Sequence, residues 1–271
     1  MHQLLSRLGP CITAWVLALG LTAGVPAQAG AQTPAIAAAS SLQFALPVLI
    51  ERFEADTGSR LRVTYGASGN LQRQIQQGAP FELFLSADEA RARDLESLGL
   101  TQGEGRDYAI GRLVWLQAKG LPLADDARPL GGVRDAIAAF DAGQGKPRIA
   151  LANPLHAPYG VAAKEVLTRA DLWTASEPLR VLGENVAQAA QFALASESRG
   201  GFAAYSLVAA PTLAERADYR LIPAQWHTPI NQRMVLIKGA SETSTAFFDW
   251  LMGDEAGEVL ERFGFSRPDV E

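Results

Sequence analysis

The stretch Thr64–Gly78, TYGASGNLQRQIQQG, decides the fold class. A β-like run ends in a turn of small residues, Gly66 to Asn70, and helical spacing follows at once. Strand, small-residue turn and helix in immediate succession is the basic unit of an α/β fold. The free N–H groups at the helix start also make it an anion-binding shape. The turn contains neither lysine nor arginine. Four readings are open for this turn alone: a phosphate cradle, a serine nucleophile, a plain helix cap, or a seat for another anion.

The same alternation extends along most of the chain. PAIAAAS (34–40) reads as a buried strand. Leu42, Leu46, Leu49, Ile50 and Phe53 then share one helix face, with Ser40 or Ser41 as cap and Gly58 as stop. Pro47 falls past the first turn of that helix on this reading and predicts a local kink. Further strands are expected at 60–65, 81–87, 112–118, 148–153, 179–183, 201–208 and 231–239. Helices are expected at 133–141, 160–170, 186–197, 243–252 and 254–263, and Asp88 caps the helix that begins EARARDLESLG. The pattern argues α/β architecture with largely parallel sheets covered on both faces.

Composition narrows the function classes. The chain has 271 residues, 48% apolar and 20% charged, with net charge −5. That balance lacks the basic excess of a nucleic-acid surface, so no nucleic-acid partner is expected. At the N-terminus, Arg7 precedes an apolar run from Cys11 to Val25, and Ala27-Gln28-Ala29 fits a cleavage site. The run is short for a membrane span and reads as a signal peptide over 1–29. The single cysteine, Cys11, lies inside it, so the exported chain folds without disulfides.

Four expected strand-to-helix junctions carry small or hydroxyl residues: Ala39-Ser40-Ser41, Ala67-Ser68-Gly69, Ala157-Pro158-Tyr159-Gly160 and Glu184-Asn185-Val186. Any one alone is best explained as a helix cap. Together they can present several helix N-termini to one anion. Enzyme motifs fail. There is no nucleoside-triphosphate loop and no dinucleotide fingerprint, and GASGN misses the nucleophile elbow because Asn70 replaces its last glycine. After the leader only His156 and His227 are available as histidine bases or metal ligands.

Four segments, AAASSLQFALPVLIERFEADTG, YGASGNLQRQIQQGAPFELFLSAD, NPLHAPYGVAAKEVL and GFAAYSLV, resemble in order and spacing the periplasmic molybdate-binding proteins of ABC transporters. The resemblance runs from about Ile36 to Phe265. It implies a two-lobed periplasmic binding protein fold of type II, with lobe 1 formed by 30–111 and 225–271 and lobe 2 by 112–224. The ligand would lie in the interlobe cleft. It further implies that Ser41, Ser68, Tyr159, Val186 and Tyr205 hold the oxyanion, so that molybdenum is met only through its oxygens. Ser40 remains an alternative to Ser41. Tyr159 and Val186 would give backbone N–H groups, and the Tyr205 hydroxyl would close the site. Phe44 departs from the polar residue that members often carry. The expectation is a monomeric periplasmic protein without cofactor or catalytic residues. It would carry molybdate, and tungstate, to a membrane permease. The alternatives are a binding protein for another oxyanion such as sulfate, and a secreted enzyme using Ser68.

Overall fold

The computed structural model describes residues 33–125 and 127–268. The signal peptide expected over 1–29 lies outside them. The first sheet contains β1 (Ala35–Ala39), β2 (Arg62–Gly66), β3 (Leu83–Ser86), β4 (Arg106–Gly111) and the late strand β10 (Ile230–Leu236), in the order β2-β1-β3-β10-β4. The second contains β5 (Leu113–Ala118), β6 (Arg148–Ala152), β7 (Arg180–Gly183), β8 (Ser198–Ala204) and β9 (Ala217–Leu221), in the order β7-β6-β8-β5-β9. The two orders are the same pattern used twice. The chain passes from the first sheet to the second between Gly111 and Leu113 and returns between Leu221 and Ile230.

The sheets are mixed rather than largely parallel. β1 runs parallel to β2 and β3, but β10 is antiparallel to both β3 and β4. In the second sheet β6 is parallel to β7 and β8, whereas β5 is antiparallel to β8 and β9. The antiparallel pairs all involve the strands next to the crossings, where the chain changes sheets. Strands β4 and β9 lie at sheet edges, and their sequences RDYAIG and ADYRL mix charges with apolar residues. They lack the unbroken apolar run that marks a buried strand, so the sequence did not single them out.

Helices cover both faces of the first sheet. Ile36 and Ala38 of β1 face α1 (Ala45–Thr57) and two helices that follow β10, α9 (Glu242–Trp250) and α10 (Asp254–Arg262). Ala37 points the other way, into a cluster with Leu71 and Ile75 of α2 (Ser68–Gln76) and Ala92 and Leu95 of α3 (Glu89–Ser97). This is the two-residue alternation of a strand buried on both sides. In the second lobe Trp115 is fully buried, edge-on to Phe202 at 5.6 Å. Gly132, at the start of α4 (Gly131–Asp141), leaves room for its indole; an added Cβ there would lie 2.6 Å from the ring. The remaining helices are α5 (Pro158–Arg169), α6 (Val186–Ala193) and two short ones, α7 (Tyr205–Val208) and α8 (Pro211–Ala214). Among the described residues no helix is long and apolar enough to cross a membrane.

Two local expectations are corrected. Ser40–Leu42 form a separate 3-10 turn, so α1 begins only at Ala45. Pro47 is then in the first turn, where its missing N–H has no intrahelical acceptor to lose, and the cause of the expected kink disappears. The strand expected at 201–208 ends at Ala204, and Tyr205–Val208 turn into α7.

The return strand is fixed by an ion triad. Arg233 is 8% exposed and donates to Asp107 Oδ1 at 3.0 Å and Glu96 Oε1 at 2.9 Å. It ties β10 to β4 and α3. Arg233→Met would leave two carboxylates facing each other without their cation. We expect it to destabilise the fold by about 2–4 kcal/mol, measurable as a lower urea midpoint with an unchanged m-value.

Candidate anion site between the lobes

Each lobe delivers two strand ends to one place. β1 ends at Ala39 and the chain turns through Ser40 and Ser41; β2 ends at Gly66 and α2 begins at Ser68. From the second lobe, β6 leads through Ala157 to α5, and β7 leads through Asn185 to α6. These are the carboxyl ends of neighbouring parallel strands, where α/β sheets place their ligands. The four junctions wall a small cavity that includes Ser40, Ser41, Ser68, Tyr159 and Val186. Its unfilled space, mouth included, is about 190 Å³. That scale suits a small inorganic ion.

The hydroxyls are set to donate. Ser68 Oγ accepts the Ala87 N–H at 2.9 Å, so its own proton is free to point elsewhere. Ser40 Oγ receives the Ala187 N–H from the opposite lobe at 3.4 Å, although that N–H also bonds Asn185 Oδ1 at 3.0 Å. Ser41 Oγ and Tyr159 OH are both buried and have no hydrogen-bond partner. A buried hydroxyl left unpaired costs ~1–3 kcal/mol, which marks both as groups awaiting a partner. Burial pushes the Tyr159 phenol up, opposed in part by the side chains of Ser41, Gln232 and Ser206 beside it. It therefore stays a neutral O–H donor at physiological pH.

Charge is kept out of the first layer. Among the described residues no lysine, arginine, aspartate or glutamate lines the cavity. Arg91 of α3 stands behind Gly69, where its guanidinium packs against that residue, pairs with Asp88 at 3.3 Å and donates to Gln72 Oε1 at 3.0 Å. Asp88 does cap α3, through the Arg91 N–H at 2.8 Å. A roomier groove nearby is lined by Asp88, Glu89, Asp94 and Glu165 as well as Arg91. Its excess of carboxylates would repel an anion. Among the described residues no group of three or more His, Cys, Asp or Glu could hold a metal ion directly.

The lobes meet through specific bonds around the cavity. Gly69 N–H donates to the His156 carbonyl at 2.9 Å, and Ser206 Oγ donates to the Ser41 carbonyl at 2.7 Å. The His156 ring is anchored on Glu184, with Nε2 3.1 Å from its carbonyl oxygen. Ala39, Ala67 and Ala87 of the first lobe belong to the same apolar cluster as the core of the second. Phe44 also packs against that cluster, beside a groove shared with Leu207 and Leu213.

Four of the five site residues expected from sequence, Ser41, Ser68, Tyr159 and Val186, come together on the cavity wall, and so does Ser40. Tyr205 does not. It is the first residue of α7 rather than part of a strand, its hydroxyl meets Tyr219 OH at 3.4 Å, and its ring fills the space beside Gly264. The strand-to-helix change after Ala204 accounts for this: Ser206, not Tyr205, is the α7 residue that meets Ser41. Tyr159 also contributes its side chain to the meeting of the lobes. Its side chain crosses to the first lobe, where a Cβ added to Gly111 would fall 2.2 Å from its hydroxyl. Sequence reasoning missed Gln232, Ser206, Gly111 and the Ala87 N–H. Only Gln232 left a trace, as an amide inside an otherwise apolar strand run.

Comparison with known proteins agrees with this architecture. The pattern of the family described as bacterial extracellular solute-binding protein matches residues 35–266. The chain belongs to that family. This solute-binding protein is 34% identical to a molybdate-binding protein ModA of Rhodobacter capsulatus, over 98% of this chain and 99% of the relative. It is also 34% identical to the ModA of Azotobacter vinelandii, over 92% and 96%. The solved Azotobacter vinelandii periplasmic molybdate-binding protein superposes with a TM-score of 0.77 at 28% identity, covering 87% of this chain and all of that one.

Gly111 offers a direct check on the geometry. Gly111→Ala would place a methyl group where the Tyr159 hydroxyl sits, in a crossing segment that has little room to yield. We expect an unchanged far-UV circular dichroism spectrum but a larger radius of gyration by small-angle X-ray scattering, because the lobes can no longer close fully.

Proposed function

We propose that this solute-binding protein captures molybdate in the periplasm and delivers it to the membrane permease of an ABC importer. The observation that carries this is a cavity of ionic size whose polar wall consists of hydroxyl and N–H donors, with two of the hydroxyls buried and unpaired. Molybdate is a tetrahedral dianion carrying no proton at neutral pH, so every oxygen accepts and none donates. Each hydrogen bond to such a charge contributes on the order of 1.5–3 kcal/mol. The N-termini of α2, α5 and α6 add partial positive charge without any counter-ion that would have to be stripped of water. Full-length relatives named for molybdate support the same ligand.

Tungstate has the same charge and shape and should bind as well. Phosphate at neutral pH carries a proton, which needs an acceptor that this wall does not provide. Sulfate has no such proton and must be rejected on size. Binding by closure of two lobes suits a monomer that releases its cargo when reopened. The family membership and this donor-lined site describe a carrier rather than an enzyme. Ser68 as a nucleophile finds no base: the His156 ring is held on Glu184, and His227 Nδ1 lies 2.8 Å from the Thr228 carbonyl. A cleavable leader over 1–29 accounts for export.

Calorimetric titration with molybdate, tungstate, sulfate and phosphate tests this directly. Molybdate and tungstate should bind tightly and the other two weakly or not at all; a preference for sulfate would sink the assignment. Ser68→Ala should weaken molybdate binding by roughly 1–3 kcal/mol. It should also lower stability, since the buried Ala87 N–H loses its acceptor. Between about pH 6 and 9 the molybdate affinity should be nearly flat. Tyr159 is the one titratable side chain on the wall, and burial holds its phenol protonated well beyond that range.

A further inference from the structure

Behind the cavity wall lies a buried polar group that the anion cannot touch. Gln232 is fully buried on β10, the strand that returns from the second lobe. The pairing of β10 with β4 shifts register between Gln232 and Arg233. Gln232 stands opposite Ala109 and Arg233 opposite Asp107, so the extra residue is Tyr108 of β4, and the two β10 side chains alternate to opposite faces of the sheet. Arg233 takes the ion triad, and Gln232 faces the crossing at Gly111. A Cβ on Gly111 would be 3.0 Å from Gln232 Nε2 and 2.2 Å from Tyr159 OH, so amide and phenol occupy the same small space. Tyr108 OH approaches Gln232 Oε1 at 3.5 Å from the other side.

The donor arithmetic then has a direction. Ser206 has given its one proton to the Ser41 carbonyl. The Gln232 amide can donate Nε2–H to the Tyr159 oxygen. The phenol proton is then free for Ser41 Oγ, the neighbouring buried hydroxyl without a partner. Once Ser41 Oγ accepts, its own proton must turn into the cavity. Ser68 is oriented by the Ala87 N–H in the same way.

We propose that Gln232 is a positioning residue for anion binding: with Tyr159 it forms a one-way chain from amide to phenol to Ser41 that aims the Ser41 proton at the ligand. The chain links the lobes, because Gln232 and Ser41 belong to the first and Tyr159 to the second. Filling the site and closing the hinge are then one event. This rests on the molybdate reading above.

The test is a mutant cycle read by calorimetry with molybdate and by thermal melting without it. Tyr159→Phe and Gln232→Met should each weaken molybdate binding roughly ten-fold. In a Ser41→Ala background, Tyr159→Phe should cost nothing further. Thermal melting without ligand checks that each variant remains folded. A merely structural tyrosine gives the same affinity penalty with or without Ser41. That result, or wild-type affinity in both single variants, overturns the proposal while leaving the molybdate reading intact. Failure of the wild-type protein to bind any of the four oxyanions overturns both.

Discussion

A dianion held without a facing cation requires that every group on the wall donate, and the rest of the molecule is arranged around that requirement. Hydroxyls can donate or accept, so a bare ring of serines would not suffice. Here the choice is forced from behind. The Ala87 N–H occupies a lone pair of Ser68, and the Ala187 N–H reaches one of Ser40. The protons that remain are free to turn inward. Such a wall would favour an oxyanion that carries no proton over one that does.

The fold supplies these donors from two directions. Two sheets of identical strand order each end two parallel strands at the cavity. The helix starts that follow leave their first N–H groups without intrahelical partners. Among the described residues the halves meet through a handful of bonds, including Gly69 to His156, Ser206 to Ser41, Ala187 to Ser40 and Thr228 to Glu165. A small number of cross-lobe bonds suits a carrier, which must reopen. Arg91 stays one layer back, neutralised by Asp88, so it can steady the start of α2 without gripping the ligand as a full counter-charge would.

Glycine marks places of close approach, two of them between the lobes. At Gly69 a side chain would strike the Arg91 guanidinium at 2.6 Å and the His156 carbonyl at 2.9 Å. At Gly111 it would strike the Tyr159 hydroxyl. At Gly160 it would meet the Ala152 carbonyl at 2.2 Å, which lets α5 begin hard against the end of β6. None of the three has a positive φ, so each is explained by close approach rather than by backbone conformation.

The sequence by itself determined the alternation of strands and helices and the four junctions, because burial periodicity and cap chemistry are local. Ser40, Ser41, Ser68, Tyr159 and Val186 were legible for that reason: each stands at the end of an apolar strand run, beside a helix start. Pro47, Tyr205 and the antiparallel strands were misread because each depends on where a neighbour ends. One 3-10 turn moves Pro47 into the first turn of α1, and one early strand end moves Tyr205 off the cavity. Only the tertiary structure decided that the Tyr159 side chain crosses between lobes and that Gln232 stands behind it. Those contacts join residues 73 positions apart in the chain. They follow from how the two sheets pack at the crossing, and no local pattern encodes that geometry.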